Sequence, residues 1–307
     1  MAAPTNTFTT SAAIGNYEDL SDTIYRITPT VTPFLNLCAK AKATNTLHEW
    51  QTQDLAAPAS NAQLEGDDAV AKVVTPTIRL NNRTQISTKT AIVSGTQQAM
   101  NSAGRKNEMG YQMMMASLEL KRDMELGLTQ NNVTAAGPRL SRGLVGWTGD
   151  NVDSGVGYVA PNYITNVAQT DGTQAAFTEA RLKNVLQKIY TAGGEPDVLM
   201  LGPLAKQTFS TFTGNSTRYD KGEDKALTAS VDVYISDFGE LKAVPNRFQR
   251  ARDVWALQTD KVAVAYFRPF QTIDLAKTGD SEKKEILVEY CLEMRAPKSC
   301  GGIVDVT

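Results

Sequence analysis

The sequence predicts an α+β protein. Three observations carry that expectation: alternation over residues 77–93, helical periodicity near residues 97–128, and a final third dominated by strand patterns. The 307 residues suffice for one large or two ordinary domains with a substantial core. Apolar residues make up 41% and charged residues 21%, with Thr, Asn, Gln and Ala abundant, so the chain reads as folded but rather polar. No internal repeat is visible.

Residues 1–16 are small and polar, without a period, and read as an arm that orders only against something else. From Asn16 onward Leu20, Ile24 and Ile27 recur at helical intervals, and Pro29 and Pro33 then break the run; short helical turns on an extended tether are expected.

In "TIRLNNRTQISTKTAIV", residues 77–93, the side chains of Ile78, Leu80, Thr84, Ile86, Thr88 and Ile92 point one way. Arg79, Asn81, Arg83, Gln85, Ser87 and Lys89 point the other. This reads as one strand, which at about 3.3 Å per residue reaches roughly 50 Å. That equals the diameter of about 50 Å expected of a compact globule of this length. Residues 43–55 offer an antiparallel partner, and "AAPASNAQLEGDDAVAKVV" between them is rich in small and acidic residues. A two-stranded arm with a loose tip is expected. An isolated hairpin is marginal in water and its edges invite pairing, so a neighbouring copy should cover it.

Over residues 97–128, Met109, Met113, Ala116, Leu120 and Met124 form one helical stripe. Tyr111, Met114 and Leu118 lie on the opposite side, separated by a polar strip of Glu108, Gln112, Glu119 and Asp123. Such a helix packs on its own domain with one face and can meet another surface with the other. Residues 132–176 read as loops with short strands. "TEARLKNVLQKIYTAGGEPDVLMLGPLAKQTFSTF" reads as a capped helix stopped at Gly193-Gly194, a buried strand at residues 198–201, and a second helix. The remainder is mostly strand, with the turn "KTGDSEKK" between two runs.

Composition narrows function as well. A formal charge of −2 gives no general reason to bind nucleic acid or an anionic membrane. No apolar run approaches the roughly 20 residues of a membrane helix, and the first residues lack the layout of a signal peptide, so folding in the cytosol is expected. Three cysteines, Cys38, Cys291 and Cys300, without CxxC spacing, point to reduced buried thiols. GxxxxGK[ST], GxSxG, HExxH and GxGxxG are all missing, and no cofactor is expected. The one histidine, His48, sits in the arm between Leu47 and Glu49-Trp50, far from any cleft where a triad could be built. Glu65, Asp67 and Asp68 on the tip solvate it or meet a basic partner. Arg247, Arg250 and Arg252 form a basic cluster that could face a phosphate backbone or a neighbour's carboxylates, or simply a solvated turn.

"NYEDLSDTIYRITPTVTPFLNLCAKAKATNTLHEWQTQDLAAP", then "LEGDDA", then "FRPFQTIDLAKTGDSEKKEILVEYCLEMRAP" resemble the major capsid proteins of tailed bacteriophages, over nearly the whole chain. The resemblance implies the tailed-phage capsid fold of the HK-ninety-seven type. Its parts would be an N-terminal arm at residues 1–42 and an extended hairpin loop at 43–93. A peripheral domain with a long spine helix would occupy 94–150 and 255–307, and an axial domain 151–254. It also implies a structural subunit that assembles as hexamers and pentamers into an icosahedral shell around double-stranded DNA, held without sequence specificity. Portal and separate scaffolding proteins, and a decoration protein, would be partners. The protein would be made in the bacterial cytoplasm and end in the virion. His48, Glu49, Trp50, Glu65, Asp67, Asp68, Arg79 and Arg83 would then be interface or packing residues, with no catalysis. The lysine-to-asparagine crosslink of the family's best-known relative has no motif here, so noncovalent shells are expected. An encapsulin-like compartment, and an enzyme with a hairpin lid built on His48, are the competing readings.

Overall fold

A computed structural model describes residues 28–68, 71, 73–100, 102, 104–212 and 233–307. The expected polar arm and the helical spacing of Leu20, Ile24 and Ile27 lie outside the described residues.

Pro33 starts a helix instead of breaking one. It occupies the first turn of α1 (Pro33–Leu37), where its missing N–H is an orphan in any case, and Phe34 is buried behind it. β1 (Ala39–Lys42) leads into a two-stranded ribbon of β2 (Leu47–Thr52) and β3 (Ile78–Arg83), paired antiparallel from Leu47 with Arg83 to Thr52 with Ile78. Then come β4 (Gln85–Ser94), α2 (Gly95–Ala99) and α3 (Glu108–Thr129), the last capped by Asn107, whose side chain accepts from Gly110 N–H.

Short strands β5 (Ala135–Ala136), β6 (Arg139–Leu140) and β7 (Val152–Asp153) follow, then α4 (Glu179–Thr191), β8 (Val198–Leu201) and α5 (Pro203–Phe209). Thr178 caps α4 and Gly193, at φ +88°, ends it, as the sequence indicates. The final third supplies β9 (Val233–Ser236), β10 (Gly239–Pro245), β11 (Val254–Leu257), β12 (Val262–Asp274), β13 (Ser281–Met294) and β14 (Gly301–Ile303).

The expected single strand over 77–93 is two strands in two different sheets. β3 stays in the ribbon, whereas β4 pairs along its whole length with β13 in a four-stranded sheet of order β1-β12-β13-β4. The break is at Thr84, whose N–H donates to Thr46 C=O at 2.9 Å and whose hydroxyl donates to buried Glu289 at 2.7 Å. Before it Leu80, Asn82 and Thr84 of the expected face are buried, though Ile78 at the far end is exposed; beyond it the face reverses, and Ile86, Thr88 and Ile92 are exposed. In β4 the half-buried residues are Gln85, Ser87, Lys89 and Ala91, and Lys89 reaches Asp123 of α3 at 2.8 Å.

Two cores result. α3 lays Ala116, Leu120, Met124 and Leu128 against Val264, Val288 and Leu292 of the four-stranded sheet. A second sheet of order β7-β14-β11-β8-β10-β9 packs Leu199, Leu201, Leu241 and Val254 against Leu182, Val185 and Ile189 of α4 and Phe209 of α5. Met200, Trp255 and Leu257 cross from the second sheet into the first core, which joins the two layers. Glu125 of α3 ties the arm to both layers: fully buried, it accepts from Phe34 N–H at 2.7 Å, Leu35 N–H at 2.9 Å and Asn246 Nδ2 at 2.7 Å.

Candidate functional site: an anchored ribbon with an exposed excursion

The ribbon is fastened to the body by side chains of one face. His48 Nε2 lies 3.0 Å from Glu293 Oε2, with the His48 side chain 14% exposed. This hydrogen bond first, and Arg295 after it, hold the Glu293 carboxyl below its ordinary value against the effect of burial. Trp50 Nε1 donates to Met294 C=O at 2.9 Å, and its ring packs 5.5 Å from His48 and 5.3 Å from Trp147. Asn82, fully buried, donates to Leu292 C=O at 2.6 Å and accepts from Arg142 N–H at 2.9 Å. Glu289 of β13 accepts from Thr84 at 2.7 Å and Arg268 at 2.8 Å, and Arg139 Nη2 stands 2.7 Å from it as an ion pair. His48 and Trp50 are therefore engaged within the chain, and the imidazole and its carboxylate act as a structural joint.

Beyond this base the chain leaves the fold. Between β2 and β3 the described residues of 53–77 form no ladder and are exposed throughout. Leu55, Leu64, Val73 and Val74 are 96%, 81%, 87% and 83% exposed. A turn shapes the tip, where Asp67 N–H donates to Leu64 C=O at 3.2 Å and Gly66 adopts φ +84°. Glu65, Asp67 and Asp68 present their carboxylates there to solvent. On the outward face of the ribbon, exposed Arg79 and Glu49 approach only to 3.8 Å, and Arg83 is half-buried. A cavity of about 220 Å³ lies beside the ribbon base, between Gln51, Ile78, Ile164 and Pro297. Its cations are taken: Arg295 by Glu293 at 2.9 Å and Lys298 by Asp54 at 2.5 Å.

The four-stranded sheet has two unlike edges. β1 is short and exposes Lys40 and Lys42, charges of the kind that discourage further pairing. β4 is ten residues long and exposes Ile86, Thr88, Thr90 and Ile92, and among the described residues its outer edge has no backbone partner over residues 86–93. Proline is lacking there, and the one lysine, Lys89, turns onto Asp123 of α3.

The basic cluster divides. Arg247 is exposed, but Arg250 and Arg252 turn inward onto Asp171, Asp253 and Asp305 and are not free for a partner's phosphate or carboxylate. Cys38, Cys291 and Cys300 are free and buried, and burial pushes the Cys291 thiol up to about 12 and that of Cys300 to about 11. Among the described residues no group of side chains is arranged to hold a metal ion, and no helix is long and apolar enough to cross a membrane.

The anchors Asn82, Glu289 and Glu293 escape a reading of the sequence, because their partners lie far away along it. One signal was present: Asn82 occupies a position where the alternation calls for an apolar side chain, and there the single-strand reading fails.

Comparison with known proteins bears on the same features. The family model described as SU10 major capsid protein matches residues 3–307. A curated relative, the major capsid protein of Escherichia phage Phieco32, is 26% identical over 321 aligned residues, covering 90% of each chain. Among solved structures, the Cyanophage A-1(L) capsid asymmetric unit aligns with a TM-score of 0.68 at 16% identity, over 97% of this chain and 98% of that one. Phage G gp27 major capsid proteins and gp26 decoration proteins, a second such structure, aligns over 100% of both chains with a TM-score of 0.55 at 10% identity.

Proposed function

The chain belongs to the SU10 major capsid protein family, and from that premise we propose how it builds a shell. It is a phage major capsid protein with the α+β fold of tailed-phage capsids, a structural subunit of the virion. Copies assemble as hexamers and pentamers into an icosahedral shell whose inner face meets double-stranded DNA without sequence specificity. A portal, a separate scaffolding protein and a decoration protein of the kind named for phage G complete the particle, which forms in the host cytoplasm. Catalysis plays no part. Residues 1–42 act as the arm and 43–84 as the extended loop. The peripheral body comprises α3 with β4, β12 and β13, and the axial part is the second sheet with β11 and β14 included.

One observation supports this mechanism most: an excursion of ladder-free chain carrying four almost fully exposed aliphatic side chains on a rigidly fastened base. A free monomer gains nothing from such surface, whereas a neighbour that covers it does, at about 25 cal/mol per Å² of apolar area buried. Glu49, Glu65, Asp67, Asp68, Arg79 and Arg83 supply the polar contacts. His48 and Trp50 hold the base that aims them.

Replacing residues 58–71 with a short glycine-serine turn tests the mechanism. The variant should keep its circular dichroism spectrum, because loop tips contribute little to a domain's own core. In velocity sedimentation it should form no particles or only fragile ones. Native-like particles of normal thermal stability would refute the interlocking role.

A further inference from the structure

Five ionisable side chains from three parts of the chain meet where the loop between β7 and α4 lies on the second sheet. Asp171 comes from the loop, Arg250, Arg252 and Asp253 from the segment before β11, and Asp305 from just after β14. Arg250 Nη2 donates to Asp171 Oδ2 at 2.5 Å, and its Nη1 stands 3.3 Å from Asp253 Oδ2. Arg252 Nη1 is 3.3 Å from the same Asp171 oxygen, and its Nη2 is 2.5 Å from Asp305 Oδ1. Asp305 Oδ2 in turn accepts from Gly172 N–H at 3.0 Å, and Tyr158 faces the group from the loop.

The members are unequally served. Asp171 and Asp305 have hydrogen-bond donors, whereas Asp253 is fully buried with neither carboxylate oxygen hydrogen-bonded, and Arg250 Nη1, 3.3 Å away, makes no hydrogen bond either. Three carboxylates share two guanidinium groups, so one negative charge is in excess whenever all are ionised. Buried charge without hydrogen bonds is costly, and protonation relieves it. Burial raises the Asp253 carboxyl from 3.8 to about 7, Arg250 opposing and Asp171 and Asp305 assisting.

We infer that Asp253 is the proton-operated bolt of a latch holding the loop at residues 155–173 and the chain end at residues 304–307 on the second sheet. The latch is closed while the carboxyl is protonated and loosened when a third negative charge is buried beside Asp171 and Asp305. The parts it joins are also tied by bonds that do not titrate in this range: Ala175 N–H to Asp305 C=O at 2.7 Å, Thr307 N–H to Ala175 C=O at 3.1 Å, Val306 N–H to Arg252 C=O at 2.9 Å, Gln174 Nε2 to Val306 C=O at 3.2 Å, Arg181 Nη2 to Val304 C=O at 2.9 Å and Asn131 Nδ2 to Gln169 C=O at 2.8 Å, so the latch shifts an opening equilibrium and does not hold the parts alone. The loop carries exposed Val156, Val159 and Ile164, so its release alters an apolar surface of the subunit.

The sign follows from linkage. A carboxyl whose value is higher when closed than when open stabilises the closed form fully below its ordinary 3.8, and that stabilisation is lost as pH rises through about 7. From pH 6 to pH 8 the opening equilibrium should rise about tenfold.

Hydrogen exchange read by mass spectrometry on the purified full chain tests this, with rates corrected for the intrinsic pH dependence of exchange. Peptides covering residues 155–175 and 300–307 should lose about tenfold in protection from pH 6 to pH 8, together, while a peptide from α4 does not change. Asp253→Asn should abolish the pH dependence in both peptides. Should that variant not fold, Asp171→Asn removes one repelling carboxylate and leaves Arg250 to Asp253, so the transition should move to lower pH. Wild-type protection that is flat from pH 6 to pH 8, an unaltered transition in Asp253→Asn, or an unshifted one in Asp171→Asn overturns the latch. None of these outcomes depends on whether the subunits assemble.

Discussion

Replacing Glu289 tests the joint that divides ribbon from body. Its side chain is 1% exposed, accepts hydrogen bonds from Thr84 and Arg268, and pairs with Arg139 at 2.7 Å. Hydrogen bonds to a charged group contribute about 1.5–3 kcal/mol each, so two amount to a gross loss of about 3–6 kcal/mol in Glu289→Ala, to which loss of the Arg139 ion pair adds. Two effects reduce this. The arginine side chains are 24% and 39% exposed and can rehydrate, and removing the carboxylate also removes the cost of having buried it. The net expectation is about 3 kcal/mol, at the low end for deleting one partner of a buried pair. At about 2–4 °C per kcal/mol for a chain of this order of size, melting falls by about 6–12 °C. Glu289→Gln keeps the shape and an acceptor for Thr84 and should cost about half as much. Urea unfolding of the dissociated subunit, followed by far-ultraviolet circular dichroism, measures both. A cost below about 1 kcal/mol for alanine, or equal costs for alanine and glutamine, would refute the assignment of this joint to charge-assisted bonds.

Three further outcomes follow from the same geometry. His48→Gln should destabilise by about 1 kcal/mol near neutral pH. Because the Glu293 carboxyl is held below its ordinary 4.5, the stability it contributes is present above that value and lost as pH falls through its lowered one, so the deficit should shrink in denaturation curves taken below pH 4.5; an undiminished deficit at pH 3 counts against the pair. Glu125→Gln leaves at least one of Phe34 N–H, Leu35 N–H and Asn246 without its acceptor, and should cost about 2 kcal/mol by urea unfolding at neutral pH, whereas a neutral effect excludes the three-way tie. Ile86→Lys with Ile92→Lys should leave melting of the monomer within about 0.5 kcal/mol but impair particle formation in sedimentation; normal particles mean that the β4 edge is not used.

Local patterns disclosed the elements, and long-range chemistry decided how they join. The stripe of Met109, Ala116, Leu120 and Met124 is the buried face of α3, and Thr178 and Gly193 bound α4, since period and capping act within a few residues. Thr84 shows the limit. Alternation carries on through it without a visible change, yet its hydroxyl bonds a carboxylate 205 positions away, and past that point the exposed and half-buried faces exchange. The same holds for His48 and Glu293, separated by 245 positions: sequence put an imidazole beside Glu49, and the fold gave it another acid. Arg250 and Arg252 read as a basic surface because Asp171 and Asp305, their nearest acids in space, are 79 and 53 positions away.

The distribution of rigidity fits the proposed assembly role better than a uniformly rigid or uniformly loose arm would. Association loses affinity to every residue it must order, so a subunit binds more tightly if its docking elements are already fixed. Here the ribbon base is fixed in advance by Asn82, Trp50, His48 and Glu289, whose contacts lie within the chain and survive in the free subunit. Ordering on assembly is then confined, among the described residues, largely to 53–77, where the exposed leucines and valines supply the compensating burial. The unlike sheet edges serve the same end. Lysines on β1 discourage further pairing at one side, while β4, whose one lysine turns onto Asp123 of α3, leaves its edge open at the other.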